Sequence, residues 1–161
     1  MTMTLVETIE VGAGGAASIE FTGIPDTGVD LMCVVSGRNS FSAADRTAVI
    51  AINGSTANKS GIKLQGNGSS VSSGSNVNFT VQAATTTANT FTSVQLYFSN
   101  YTSSSNKSFA IEQATENNAT AVETLIQANL WSQTSAITSL GFSFGDGNFV
   151  QYSTASLYII S

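Results

Sequence analysis

Three features of this sequence predict an all-β fold, an antiparallel β-sandwich. Apolar residues recur with period two, and β-branched and aromatic types dominate the apolar set. Short Gly/Asn/Ser clusters interrupt the pattern at regular spacing, with no long helical pattern in competition. The 161 residues match one domain, since compact units hold about 100–200; residues 1–161 are read as a single sandwich. A chain of this size buries roughly 68–70% of its unfolded surface, so folding calls for no disulfide or metal.

The first predicted strand, residues 5–11, sets Leu5, Glu7, Ile9 and Val11 on one face and Val6, Thr8 and Glu10 on the other. Residues 12–17 read as a Gly/Ala hairpin turn, and 18–22 resume with Ile19 and Phe21 inward. Ile24-Pro25-Asp26-Thr27-Gly28 is a turn in which proline presets φ. Residues 29–35 form a nearly continuous apolar run, which predicts a central strand covered on both sides. Further strands are expected at 47–52, 61–65, 77–83, 91–98, 107–113, 136–144 and 155–160. Asn53-Gly54, Gly66-Asn67-Gly68, Ser72-Ser73-Gly74-Ser75, Ser103-Ser104-Ser105 and Gly145-Asp146-Gly147 punctuate them, and 66–75 reads as a loop tip. Residues 119–131 fit both periods: Ala119, Val122, Leu125, Ile126 and Leu130 at helical spacing, or Val122, Thr124, Ile126, Ala128 and Leu130 alternating. Strand is favoured there because a lone helix would break the rhythm, and Asn117-Asn118 could cap a helix or close a hairpin. Phe21, Val34, Phe98, Phe109, Trp131, Phe142 and Tyr158 are the expected core.

Composition narrows the function. Charged residues make up 9% of the chain, against about 25% in an ordinary soluble domain. Serine and threonine fill 44 positions and asparagine 13, so the polarity is hydroxyl and amide. Apolar residues at 42% argue against disorder. Five Lys/Arg against ten Asp/Glu give a net charge of −5, which opposes nucleic-acid binding. The absence of histidine removes the commonest general base and metal ligand. Cys33 has no second cysteine with which to form a disulfide or zinc ribbon and reads as a small buried hydrophobe. The N-terminal stretch lacks the basic and apolar regions of a signal peptide, and no apolar run is long enough to span a bilayer.

Each candidate motif has a plainer reading. Gly12-Ala13-Gly14-Gly15-Ala16-Ala17 fits a dinucleotide fingerprint, but that works only ahead of a helix, and Ser18-Ile19-Glu20-Phe21 alternates as a strand. A serine nucleophile needs a base; histidine is absent, and Lys59, Lys63 and Lys107 lie in polar contexts that read as exposed. Glu112, Glu116, Glu123 and Asp146 are the carboxylates from which a glycosidase pair could be drawn, though ten acids are more simply surface solvation. Asp146-Gly147-Asn148 offers oxygens to a hard cation, but the same residues are hairpin chemistry. Seven Asn-x-Ser/Thr triplets begin at Asn53, Asn58, Asn67, Asn78, Asn100, Asn106 and Asn118; the composition explains most of them. Catalytic, metal and cofactor sites are therefore expected to be absent.

The run from Phe98 to Phe109, then Leu130-Trp131, Ala136-Ile137-Thr138-Ser139-Leu140 and the closing stretch from Gly147 to Ile160 occur in a distinctive order. With Ile19-Glu20-Phe21-Thr22-Gly23-Ile24-Pro25 in the N-terminal half, this succession resembles a family of small virion structural proteins of tailed bacteriophages, especially marine ones. The resemblance covers nearly the whole chain, and its motifs are structural. It implies a jelly-roll-like sandwich and a non-enzymatic role as a capsid decoration or head-fibre protein on the outside of the particle. A tail fibre or host-glycan-binding adhesin is the alternative. The implied partners are the major capsid protein or other virion proteins, further copies of the chain with trimers favoured, and a host surface glycan. The implied location is the virion, assembled in the host cytoplasm.

Overall fold

Twelve strands form among the residues that the computed structural model describes, 2–116 and 123–161. In order they are β1 (Met3–Glu10), β2 (Ser18–Thr22), β3 (Asp30–Gly37), β4 (Asp45–Ile52), β5 (Lys59–Gly66) and β6 (Val71–Ser75). There follow β7 (Phe79–Gln82), β8 (Thr92–Phe98), β9 (Lys107–Thr115), β10 (Glu123–Trp131), β11 (Ser139–Ser143) and β12 (Thr154–Ile160). They make two sheets, ordered β1-β12-β3-β8-β9-β10-β5-β6 and β2-β11-β4-β7, with antiparallel neighbours throughout.

Without β5, β6, β9 and β10, the layers are β1-β12-β3-β8 over β2-β11-β4-β7. The chain passes between layers at every step except β4 to β7, which are paired neighbours. This is jelly-roll order. The β5–β6 and β9–β10 hairpins are insertions that extend the larger sheet beyond β8. The smaller sheet ends at β7, which touches β8 and β9; β10, β5 and β6 extend beyond it as a wing whose root, the inner face of β10, is still buried.

Alternation builds the core directly. β2 buries Ile19 and Phe21, β3 Leu31, Cys33 and Val35, β8 Val94, Leu96 and Phe98, and β12 Ala155, Leu157 and Ile159. Phe79 meets Phe142 edge-on at 5.3 Å between ring centroids, and Phe98 stacks on Phe109 at 4.8 Å. Such pairs add about 0.5–1.5 kcal/mol beyond their buried area.

Phe21, Phe98, Phe109, Trp131 and Phe142 lie in this core. Val34 and Tyr158 do not. β3 is central, as expected, but only one of its faces is covered: Val34 is 36% exposed, and Tyr158, opposite Met32, is half-buried on the same outer face. A continuous apolar run implies cover on both sides in parallel sheets flanked by helices, and this antiparallel sheet has one layer against it.

Three other expectations change. β1 carries a bulge between Leu5 and Glu7, which reverses its faces, leaving Leu5 exposed and packing Val6 with Ile9 against the core. Residues 12–17 turn the chain from one sheet to the other, so they do not close a hairpin. Gly15 has φ +69°, and a side chain there would meet the Phe149 carbonyl at 2.8 Å. Residues 71–75 of the supposed loop tip form β6. The actual turn is shorter: Asn67 Oδ1 accepts from the backbone N–H groups of Ser69 and Ser70 at 3.1 and 2.9 Å. Of residues 119–131, Glu123–Trp131 is strand; Asn117, Asn118 and 119–122 lie outside the described residues.

Candidate functional site

The four candidate carboxylates do not form one site. Glu112 stands on the outer face of β9, opposite Gln95 and Ile126. Asp146 is exposed in its turn, 3.8 Å from Arg46 Nη2, with Gly147 at φ +72°, so Asp146-Gly147-Asn148 is turn chemistry. Glu116 and Glu123 do line a common 730 Å³ opening beside the β5–β6 turn, together with Phe91 and Ser69. Burial pushes the Glu123 carboxyl above the usual carboxylate range, with Lys63 opposing the shift and Asp45 adding to it. Among the described residues, no three His, Cys, Asp or Glu side chains gather as metal ligands. Cys33 is fully buried, and desolvation raises its thiol pKa far above the ordinary value.

The lysines correct the expectation of exposure. Lys107 is 1% exposed. Its Nζ donates to the carbonyls of Ser103, Ser105 (2.8 Å) and Thr134 (3.0 Å) and lies 5.8 Å from the Trp131 ring centroid. Lys59 and Lys63 are half-buried; Lys59 donates to the Ile50 carbonyl, and burial lowers its pKa to about 8. Arg38, also buried, donates to the carbonyls of Thr86, Thr87 and Thr90 at 2.9–3.1 Å. Peptide oxygens solvate both buried cations, fixing the loops before β8 and after β8 to the body. No spacing in the sequence signals this, because carbonyl acceptors have no residue type.

The distinctive surface is the outer face of the larger sheet. Strand pairing sets Leu5, Tyr158, Met32, Tyr97, Ala110, Ala128, Ile62 and Ser75 in one uncharged row across all eight strands. A second row, Ser156, Val34, Gln95, Glu112, Ile126, Leu64 and Ser73, carries a single charge. Of nine large apolar side chains exposed among the described residues, this face holds Leu5, Val34, Ile62, Leu64, Val71 and Ile126. Sequence reading missed the surface, although Ile62 and Leu64 alternating with Lys63 and Gln65 was its available signal.

Polarity reverses on crossing the sheet. The inner row Leu157, Cys33, Leu96, Ile111, Gln127, Lys63 and Gly74 passes from aliphatic to amide and charge. In the wing the buried atoms Gln127 Oε1, Trp131 Nε1 and both amide atoms of Asn129 lack a hydrogen-bond partner. A side chain at Gly61 would approach Asn129 Oδ1 to 1.9 Å, so only glycine fits beneath that amide. Leu125 and Trp131 still enter the core from β10, but Ile62, Leu64 and Ile126 of the wing point away from it.

The fold and this face define a β-sandwich of jelly-roll type with an exposed, nearly uncharged sheet. Compared with known proteins, the chain matches no family model, and no curated protein matches it significantly.

Proposed function

We propose that the chain is a non-enzymatic structural protein of a tailed-phage particle, a capsid decoration or head-fibre component held outside the shell by the outer face of its larger sheet. The extent of that face carries the reading. Eight strands at ~4.8 Å spacing and ~3.4 Å per residue along each strand give a surface on the order of 1,000 Å², enough for the ~800 Å² per partner of a stable interface. Exposed apolar patches of this reach mark interaction sites. The two central rows carry one carboxylate, Glu112, while Asp30, which accepts from the Tyr97 hydroxyl, and Glu10 lie toward the margin of the face. The resemblance to virion proteins supplies the partner class: the major capsid protein or another virion protein, in a particle assembled in the host cytoplasm.

Imaging of particles carrying the subunit tests this. The expected density lies on the shell, with Ile62, Leu64 and Ile126 turned toward capsid subunits, and Ile126→Lys abolishes attachment of the purified chain. Location on the tail, or attachment with this face in solvent, overturns it.

A second reading rests on a hollow in the same face, 740 Å³ between Tyr97 and Ile62, bordered by Ser60, Ser75, Ser99 and Ser108. An aromatic ring among hydroxyls suits a host surface glycan, as a tail adhesin requires. Saturable binding to isolated host polysaccharide, lost in Tyr97→Ala, would favour it.

A further inference from the structure

We infer that β6 is a self-association edge, at which a second copy of the chain pairs antiparallel to continue the larger sheet across a two-fold axis. An edge strand offers unpaired N–H and C=O groups to any matching strand, and natural proteins blunt such edges with charge, bulges or extreme shortness. Three of the four sheet edges here are blunted. β1 is bulged and carries Glu7 and Glu10; β2 carries Glu20; β7 has only four residues.

β6, of five residues, has neither charge nor bulge. Val71-Ser72-Ser73-Gly74-Ser75 pairs with β5 in unbroken register, and all five residues are exposed. From residue 64 to residue 106 the sequence contains no Asp, Glu, Lys or Arg. Copies with a net charge of −5 repel, and β6 itself adds no charge at its edge.

A second copy fits this edge on two grounds. An antiparallel strand paired with itself is isologous, so one sequence satisfies both sides. The smaller sheet stops at β7 over β8 and β9, so a partner approaching β6 meets no second layer. Centred on Ser73, the pairing sets Val71 of one copy opposite Ser75 of the other, in the row of Ile62. The apolar stripes of both wings then join at the seam. The symmetry is two-fold, unlike the three-fold implied by the virion resemblance, and the inference stands independently of the virion reading.

The test uses the purified full-length chain. Sedimentation velocity from about 1 to about 200 µM is expected to show a monomer–dimer equilibrium, and Ser73→Lys to raise Kd about tenfold or more. Thermal unfolding checks that Ser73→Lys leaves the fold intact, as its exposed position predicts. Ser73→Cys treated with a short thiol-to-thiol crosslinker is expected to give a covalent dimer, because opposed antiparallel residues lie about 5.5 Å apart. Cys33 is buried, and Leu5→Cys on the opposite edge serves as the control. A monomer throughout, an oligomer indifferent to Ser73→Lys, or crosslinking through Leu5→Cys in place of Ser73→Cys overturns the proposal.

Discussion

The body of the larger sheet and its wing follow the same period-two pattern, but the wing divides its apolar residues between the two faces. Under β3, β8 and β12 the apolar rows face the smaller sheet and bury Leu31, Leu96, Phe98 and Leu157. In β5 and β10 the inward positions mix Lys63, Gln65, Gln127 and Asn129 with the buried Leu125 and Trp131, while Ile62, at 68% exposure, Leu64 and Ile126 face out. Alternation fixes two faces. Which one becomes core depends on what lies against it.

The largest expected effect breaks the body. Phe142 is fully buried and packs edge-on against Phe79; Phe142→Ala should cost ~3–5 kcal/mol in denaturant unfolding, a large share of the ~5–15 kcal/mol that folds a domain. Lys107→Met comes next, at about 1–3 kcal/mol, because three carbonyls lose a buried donor. A cost near zero would mean that water replaces the ammonium and that the loops are not tied through it.

Lys59 sharpens the comparison at the wing's inner face. Its folded pKa of about 8 lies below the ordinary 10.5, so between these values the unfolded chain binds the extra proton. The Lys59 contribution to stability should therefore rise with pH from 8 to 10.5, whereas Lys59→Met lacks that increment. Glu123 has the opposite sign. Its pKa is raised on folding, so its favourable contribution is complete in acid and disappears as pH climbs through the folded value. Glu123→Gln should slightly raise the melting temperature at pH 7 and leave it unchanged below pH 4.

The smallest effect belongs to the wing's outer face. Ile62→Ser should alter monomer stability by no more than about 0.5 kcal/mol. A cost of several kcal/mol would show that this isoleucine belongs to a core within one chain.

The two-layer fold was legible because apolar alternation and Gly/Asn turns agree along most of the chain. What escaped had specific causes. Ser72-Ser73-Gly74-Ser75 has poor strand propensity and becomes β6 by pairing with β5, a tertiary effect that overrides local preference. The β1 bulge adds one residue and inverts the faces that alternation assigns on either side of it. Val34 and Tyr158 are apolar and centrally placed, yet sequence does not count the layers. The candidate carboxylates were visible as residues, but only folding separates Glu112 from Asp146 and brings Glu116 and Glu123 to one opening. The docking face is a property of eight strands side by side, of which the sequence displays one at a time.

The amide-solvated cations bear on endurance. An interior ion pair fails in acid once its carboxylate takes up a proton. Arg38 and Lys107 are held by peptide oxygens, which do not titrate in that range, so these tethers remain intact in acidic surroundings. High ionic strength likewise has little purchase on contacts so short and so well enclosed.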